Sequence, residues 1–379
     1  MLGHVAIGTW SGGRFMGFGE PVSDGRFEAL LRPGAGVNTL LTADTYGAGE
    51  ADSLLGRSLS GVPRGDYTLV GAIGHDFYEG ERDGPRGFPR FTDPRLRRPE
   101  GYRDYVRMAV ERSLERCGVD SFDLLLLHNP DRRGFESPEV WEALRAVRDE
   151  GMAKQLGVAP GPANGFTLDL IGCFERYGEL IDWAMLILNP LEPWPGELAL
   201  PAAERHRVKV ITRVVDYGGL FHDDVLPGHR FPRSDHRGFR PQGWVEAGRE
   251  RMELMRPLAQ RHGLTMLQLA SCWNLAHGPV ACVAPTLIEE ASAAKPIELK
   301  REELAGVPPL SPLSSEEVDE IRAIGDNRGS MLLKGASPDH DGPDQPDRWT
   351  PGADQLELAA RWDIEPDRDL RRAPVDSVA

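Results

Sequence analysis

The sequence predicts a (β/α)8 TIM barrel, and three observations carry that expectation. Strand-like and helix-like stretches alternate along most of the chain, the pattern of a parallel sheet covered by helices. The strand-like stretches are short runs of consecutive apolar residues, as strands buried on both faces require. The clearest of them, Ser121-Phe-Asp-Leu-Leu-Leu-Leu-His-Asn-Pro-Asp131, runs through Leu124 to Leu127 and breaks at His128 into a turn-forming Asn-Pro-Asp. His128 therefore stands at the carboxyl end of its strand, where α/β folds place their chemistry.

The elements follow in order. His4 to Thr9, Asn38 to Thr42 and Tyr67 to Ile73 read as the first three strands. Between the second and third, Ala51-Asp-Ser-Leu-Leu-Gly56 begins a helix. Val106, Ala109, Val110, Leu114 and Cys117 recur at helical spacing and stop at Gly118, a suitable residue just past a helix end. Asp123 to Leu127 is the fourth strand. Ser137-Pro138 then opens a helix as N-cap and first residue, with Val140, Trp141, Leu144 and Val147 inward and Gly151 closing it. Lys154 to Val158, Trp183 to Leu188 and Val208 to Val214 supply three more strands. Thr265 with Gln268 forms a capping box, Val280 to Ala284 is the last strand, and Ser314 with Glu317 caps a final helix. The barrel is expected over 1–326 and a Pro/Asp-rich extension over 327–379. Within that extension Gln355 to Trp362 reads as a short helix, and Trp349 and Trp362 suggest partial docking, because large aromatics suit a free tail poorly.

Composition narrows the classes. A chain of 379 residues, 40% apolar, can bury one large core. A formal charge of −15 argues against nucleic acid or an anionic membrane as partner and leaves a small molecule. Cys117, Cys173, Cys272 and Cys282 form no CxxC pair and read as reduced thiols. No signal-peptide pattern and no membrane-length apolar run are visible, so a cytoplasmic protein is expected. Dispersed histidines and unpaired cysteines give no metal signature. No GxGxxG opens a helix after a strand, and no Gly-x-Ser-x-Gly elbow is present. The oligomeric state is not legible.

A second segment sharpens the reading. Val37-Asn-Thr-Leu-Leu-Thr-Ala-Asp-Thr-Tyr-Gly-Ala-Gly-Glu50 is another apolar strand breaking into a Gly-rich loop, with Tyr46 at the break. The pair, a strand-end tyrosine followed by a strand-end histidine in His128-Asn-Pro-Asp131, resembles the aldo-keto reductase superfamily over most of residues 1 to 326. The resemblance implies a carbonyl or alcohol oxidoreductase using NAD or NADP. Tyr46 matches the family's proton-donating tyrosine and His128 its substrate-orienting histidine. Asn189, Arg213, Gly218, Gly219 and Leu220 fall where the family meets its cofactor.

The match is incomplete. The family's aspartate falls on Leu41 and its lysine on Ala72, so half of the catalytic tetrad is absent. Asp44, or a protonated His75, is the neighbour that could substitute. The polar pair that holds the cofactor carboxamide falls on Ala159-Pro160, and a glutamine falls on Met185. The arginine that meets the NADP 2′-phosphate falls on Ile288, followed by Glu289 and Glu290, so little preference for NADP is expected, and no cofactor at all is an open alternative.

Two long loops are rich in cations and aromatics. The first carries Arg82, Arg86, Arg90, Arg95, Arg97 and Arg98 among Phe77, Tyr78, Phe88 and Phe91. The second carries His222, His229, Arg230, Arg233, His236, Arg237 and Arg240. Such loops are either solvated connections or a cap that recognises an anionic or sugar-like substrate. Three functions follow: a divergent oxidoreductase, a non-redox dehydratase, lyase or isomerase using Tyr46 and His128 as acid and base, or a non-catalytic binding barrel. Fold alone does not choose among them.

Overall fold

The computed structural model describes residues 2–83, 87–162, 166–232, 234–240, 242–291, 295–328 and 351–370. Eight parallel strands pair in chain order: β1 (Ala6–Gly8), β2 (Thr39–Leu41), β3 (Thr68–Ile73), β4 (Leu124–His128), β5 (Leu156–Ala159), β6 (Trp183–Ile187), β7 (Lys209–Arg213) and β8 (Val280–Ala284). A parallel bridge between Val5 and Val283, with Val283 N donating to His4 O at 2.9 Å, brings the last strand back to the first and nearly closes the barrel. The expected (β/α)8 architecture is the one observed.

The unbroken apolar run of β4 now has its reason. A strand shows alternate residues to opposite faces. Leu124 and Leu126 face an inner core with Leu41, Val70, Ala72, Met185, Ile211 and Cys282, while Leu125 and Leu127 face an outer core with the surrounding helices. A barrel wall has no wet side, so both sets must be apolar. All four cysteines are buried and unpaired by disulfides.

Helix ends follow local chemistry. The helix Tyr102–Cys117 stops at Gly118, whose φ of 67° is left-handed, and both capping boxes form, Thr265 with Gln268 and Ser314 with Glu317. Ser137 departs from expectation. It precedes the helix Pro138–Asp149 with an extended backbone, but its hydroxyl donates to the Glu139 carboxylate at 2.6 Å instead of accepting from the helix backbone.

Residues 351–370 lie along the barrel flank. The helix Ala353–Arg361 packs on the helix Phe166–Tyr177, where Gln355 donates to Asp169 at 2.7 Å and Arg361 pairs with Glu175 at 2.7 Å. Trp362 Nε1 also donates to Glu175, at 2.9 Å. Beyond them the Asp369 carbonyl accepts from Trp194, in the loop after β6, so this segment reaches the carboxyl-end face. Trp349 and the Pro/Asp stretch 338–347 lie outside the described residues. Among the described residues no helix is long and apolar enough to cross a membrane.

Candidate active site

The alternation of β2 continues past its end. Leu41 and Ala43 stay in the inner core, against which Tyr46 packs, while the Thr42 hydroxyl on the other face donates to Asp52 at 2.7 Å. Tyr46 opens a tight turn in which Gly47 and Gly49 have φ of 59° and 95°. From β4, Leu124, Leu126 and then His128 share the inward face. Gly74 makes room for the end of β4, because a Cβ on it would stand 2.1 Å from the His128 carbonyl oxygen. Tyr46 and His128 meet edge to face, 5.8 Å between ring centroids and 82° between planes. His75 lies against His128 at 5.4 Å. The two residues singled out from sequence stand together at the carboxyl end of the barrel.

The electrostatics of this mouth are set by burial and by arginines. Burial holds the His128 imidazole well below its usual pKa, and the charges of Arg213 and Arg90 push the same way. His75 is pushed down to about 3 by burial and by Arg90. The Phe88 carbonyl lies 2.9 Å from His75 Nδ1, and the Asn129 amide 3.3 Å from Nε2. Burial raises the Tyr46 phenol, partly offset by the charge of Arg213. At neutral pH the mouth therefore presents a neutral phenol and two neutral imidazoles beside permanently charged arginines.

Neither neighbour that could substitute for the missing tetrad members brings a charge to Tyr46. Asp44 faces away from the mouth: Ala43 is in the inner core, and the charges acting on Asp44 are Asp52, Arg116 and Asp76. Burial raises the Asp44 pKa well above the ordinary value, opposed by Arg116 and the Thr45 backbone N–H. His75 sits at the mouth but is neutral there, because desolvation and Arg90 both oppose protonation. The cation near Tyr46 is Arg213. Its inward direction was available from the period-two pattern, two residues after Ile211, although nothing in the sequence tied it to the tyrosine.

Arg213 donates to the Pro160 carbonyl at 3.0 Å, across the end of β6. Asn189 acts as a strut: its amide donates to Val214 O at 3.0 Å and its oxygen accepts from Leu191 N at 2.9 Å. Gly218 and Gly219 turn through φ of 64° and 93°, conformations that favour glycine. Leu220 is buried in the outer core, which leaves only its backbone for a ligand. Beside Gly218, Arg240 stacks over Tyr217 and Trp244 at 4.3 and 4.5 Å, and its Nη1 is buried without a hydrogen-bond partner among the described residues. A buried guanidinium N–H awaiting an acceptor, next to a Gly-Gly turn, suits the phosphate-bearing arm of a dinucleotide.

The far end of that groove also differs from expectation. Ile288 is fully buried. Glu289 and Glu290, read from sequence as repelling a phosphate, are each neutralised, Glu289 by Arg26 at 2.9 Å and Glu290 by Arg237 at 2.5 Å. The expected weak grip on a 2′-phosphate thus rests on Ile288 alone. The basic loops are largely self-satisfied: Arg95 pairs with Asp93, Arg97 with Asp76 and Glu79, and Arg237 with Asp235 and Glu290. As a substrate-recognising cap they offer less than their composition suggested. Arg86 and Arg233 lie outside the described residues. Among the described residues no group of three or more His, Cys, Asp and Glu is placed to hold a metal ion.

The family model described as "Aldo/keto reductase family" matches residues 5–325. The chain belongs to the aldo/keto reductase family. A D-threo-aldose 1-dehydrogenase from a Pseudomonas species is 30% identical over 200 residues, 49% of this chain and 57% of that protein, so the chain spans little more than half of that relative's length. An NADH-specific methylglyoxal reductase from Escherichia coli is 25% identical over 79% of this chain and 91% of the relative. Among solved structures, the glycerol dehydrogenase from Gluconobacter oxydans superposes with a TM-score of 0.63 at 24% identity, over 85% of this chain and 90% of the other, a likeness of fold.

Proposed function

We propose that this family member is a nicotinamide-dependent oxidoreductase that reduces the carbonyl of a small polar substrate. The observation that carries the reading is the edge-to-face Tyr46–His128 pair at the mouth of the barrel. The relatives named as a sugar dehydrogenase and an NADH-specific reductase support the reaction class. Gly218, Gly219 and Arg240 would hold the dinucleotide, and when bound it supplies the hydride.

The chain's own groups do the rest. The phenol of Tyr46 and the imidazole of His128 converge on one oxygen, the phenol as donor of the proton and the imidazole as orienting partner. The raised phenol pKa sets a direction. An alkoxide is the conjugate base of a group about as weakly acidic as water, roughly 15.7, so even a phenol above 10 protonates it downhill. Alcohol oxidation needs the phenolate, which burial disfavours. Reduction is therefore expected to be nearly flat between pH 6 and 9, and oxidation to climb with pH throughout.

The test is a screen of small polar carbonyls with NADH and NADPH, followed by Tyr46→Phe on whichever turns over. Loss of the donor should lower kcat by roughly a hundredfold or more with folding intact, and His128→Ala should act comparably. Full activity in Tyr46→Phe would show that the proton comes from elsewhere. A second reading, a non-redox enzyme with Tyr46 and His128 as acid and base, is favoured by the apolar Leu41 and Ala72 beneath the tyrosine. It requires turnover without any nicotinamide.

A further inference from the structure

We propose that the barrel mouth also holds a carboxylate, with Arg213 as its binding residue, so that the substrate is a small 2-oxo acid or the matching 2-hydroxy acid. This rests on the reading of Tyr46 and His128 as the carbonyl-oxygen site. Ile211 faces the inner core, so Arg213, two residues on, faces the mouth at the end of β7, level with Ile187 and Ala284. Its guanidinium crosses the end of β6 to the Pro160 carbonyl at 3.0 Å. Pro160 follows Ala159, which is level with His128 in the β4–β5 pairing. His128 in turn carries Tyr46 on its edge at 5.8 Å. The guanidinium thus closes on the same end of β5 that flanks the acid–base pair.

The surrounding charges favour an anion. Arg213 acts on both Tyr46 and His128, and Arg90, 3.2 Å from the His75 ring, acts on His128 from the other flank. Glu192 acts against this by placing a carboxylate within reach of Arg213, so the guanidinium is partly countered before any ligand arrives. Burial lowers Arg213 from its usual value, the mark of a desolvated cation that an anionic partner relieves. A guanidinium has five N–H donors in a planar fork, and a carboxylate accepts two of them in parallel. Leu41, Ala72 and Met185 make the floor apolar, which suits a short alkyl side chain on the acid.

The step balances. C2 of the acid accepts a hydride from the reduced nicotinamide, the carbonyl π pair moves onto oxygen, and that oxygen takes the Tyr46 proton. The ketone is reduced to a secondary alcohol and the nicotinamide is oxidised, while the carboxylate stays on Arg213 unchanged.

Binding decides the matter without turnover. Calorimetric titration of the full-length protein with oxamate, a carboxylate isostere of pyruvate, is compared with hydroxyacetone, an uncharged carbonyl of similar size. Oxamate is expected to bind at least tenfold tighter. Arg213→Gln is expected to weaken oxamate by roughly ten- to hundredfold, the scale of charge-assisted hydrogen bonds, and to weaken hydroxyacetone by a clearly smaller factor. Arg213→Lys should recover part of the loss. If the Gln variant does not fold, the wild-type comparison and the Lys variant still decide. Hydroxyacetone binding as tightly as oxamate, or equal weakening of both by Arg213→Gln, overturns the proposal. Oxamate preference without nicotinamide-dependent turnover would instead refute the redox reading and leave the carboxylate site standing.

Discussion

Only one residue separates Asp44 from Tyr46, yet they serve different sides of the barrel wall. Tyr46 packs on the inner core, whereas Asp44 lies in the outer layer among Asp52, Arg116 and Asp76. Burial raises the Asp44 carboxyl well above its ordinary pKa, so Asp44 makes wild-type stability fall as pH rises above about 4. Asp44→Asn removes that liability. Relative to wild type the variant is expected to gain stability as pH rises from about 4, a gap that widens with pH. Urea melts at pH 5, 6 and 7 measure this, and a gap that shrinks with pH refutes it. His75 contributes with the opposite sign. Its folded pKa of about 3 lies below the unfolded value, so its contribution is present above about 6.5 and is lost as pH falls from there toward 3. Tyr46 and His128 were legible because each ends an apolar run with a residue that has no reason to be apolar. The neutrality of His75 was not legible, because Arg90 reaches it through a loop fold that the sequence does not display.

Elements were easier to read than single charges, and the reason is local. A capping box needs only residues three apart, so Thr265 with Gln268 and Ser314 with Glu317 are visible in any window of four. Ser314→Ala should cost about 1 kcal/mol, read as a lower urea midpoint with an unchanged slope. Glu317 sharpens the case. Its carboxyl is held down at about 2 by the Ser314 backbone N–H, with His262 and Arg261 as further partners, so its contribution is present above about 4.5 and fades as pH falls toward 2. The cost of Glu317→Gln should therefore be smaller at pH 3 than at pH 7. Ser137 shows the limit of the same rule: a nearby Glu139 took the hydroxyl that the backbone was expected to engage. The basic loops show a wider limit. Arg97 and Arg237 look like recognition groups in sequence, but their carboxylates, Asp76, Glu79, Asp235 and Glu290, are identified only once the chain has folded.

At the scale of the molecule, the barrel follows from alternation and burial, and the extension acts as a strap. Residues 351–370 bury Leu358, Ala359, Ile364 and Leu370 and connect the barrel flank to Trp194 on the carboxyl-end face. A chain ending at residue 350 should lose at least about 2 kcal/mol, the transfer value of one buried leucine or isoleucine, and shift its tryptophan emission as Trp194 loses its partner. Unchanged stability and emission would show that the strap carries neither. The wide departure from the family's polar residues, at Leu41, Ala72, Ala159, Pro160 and Ile288, leaves the barrel intact because each position tolerates an apolar side chain. What those changes leave of the cofactor site is the central matter, and equilibrium titration of the purified protein with NADH and NADPH measures it, with the eight tryptophans as reporters. Saturable binding of both, with dissociation constants within about tenfold of each other, is the expected result, since Ile288 cannot make the charge-assisted bonds that discriminate a 2′-phosphate. No saturable binding of either nucleotide would contradict a nicotinamide-dependent oxidoreductase.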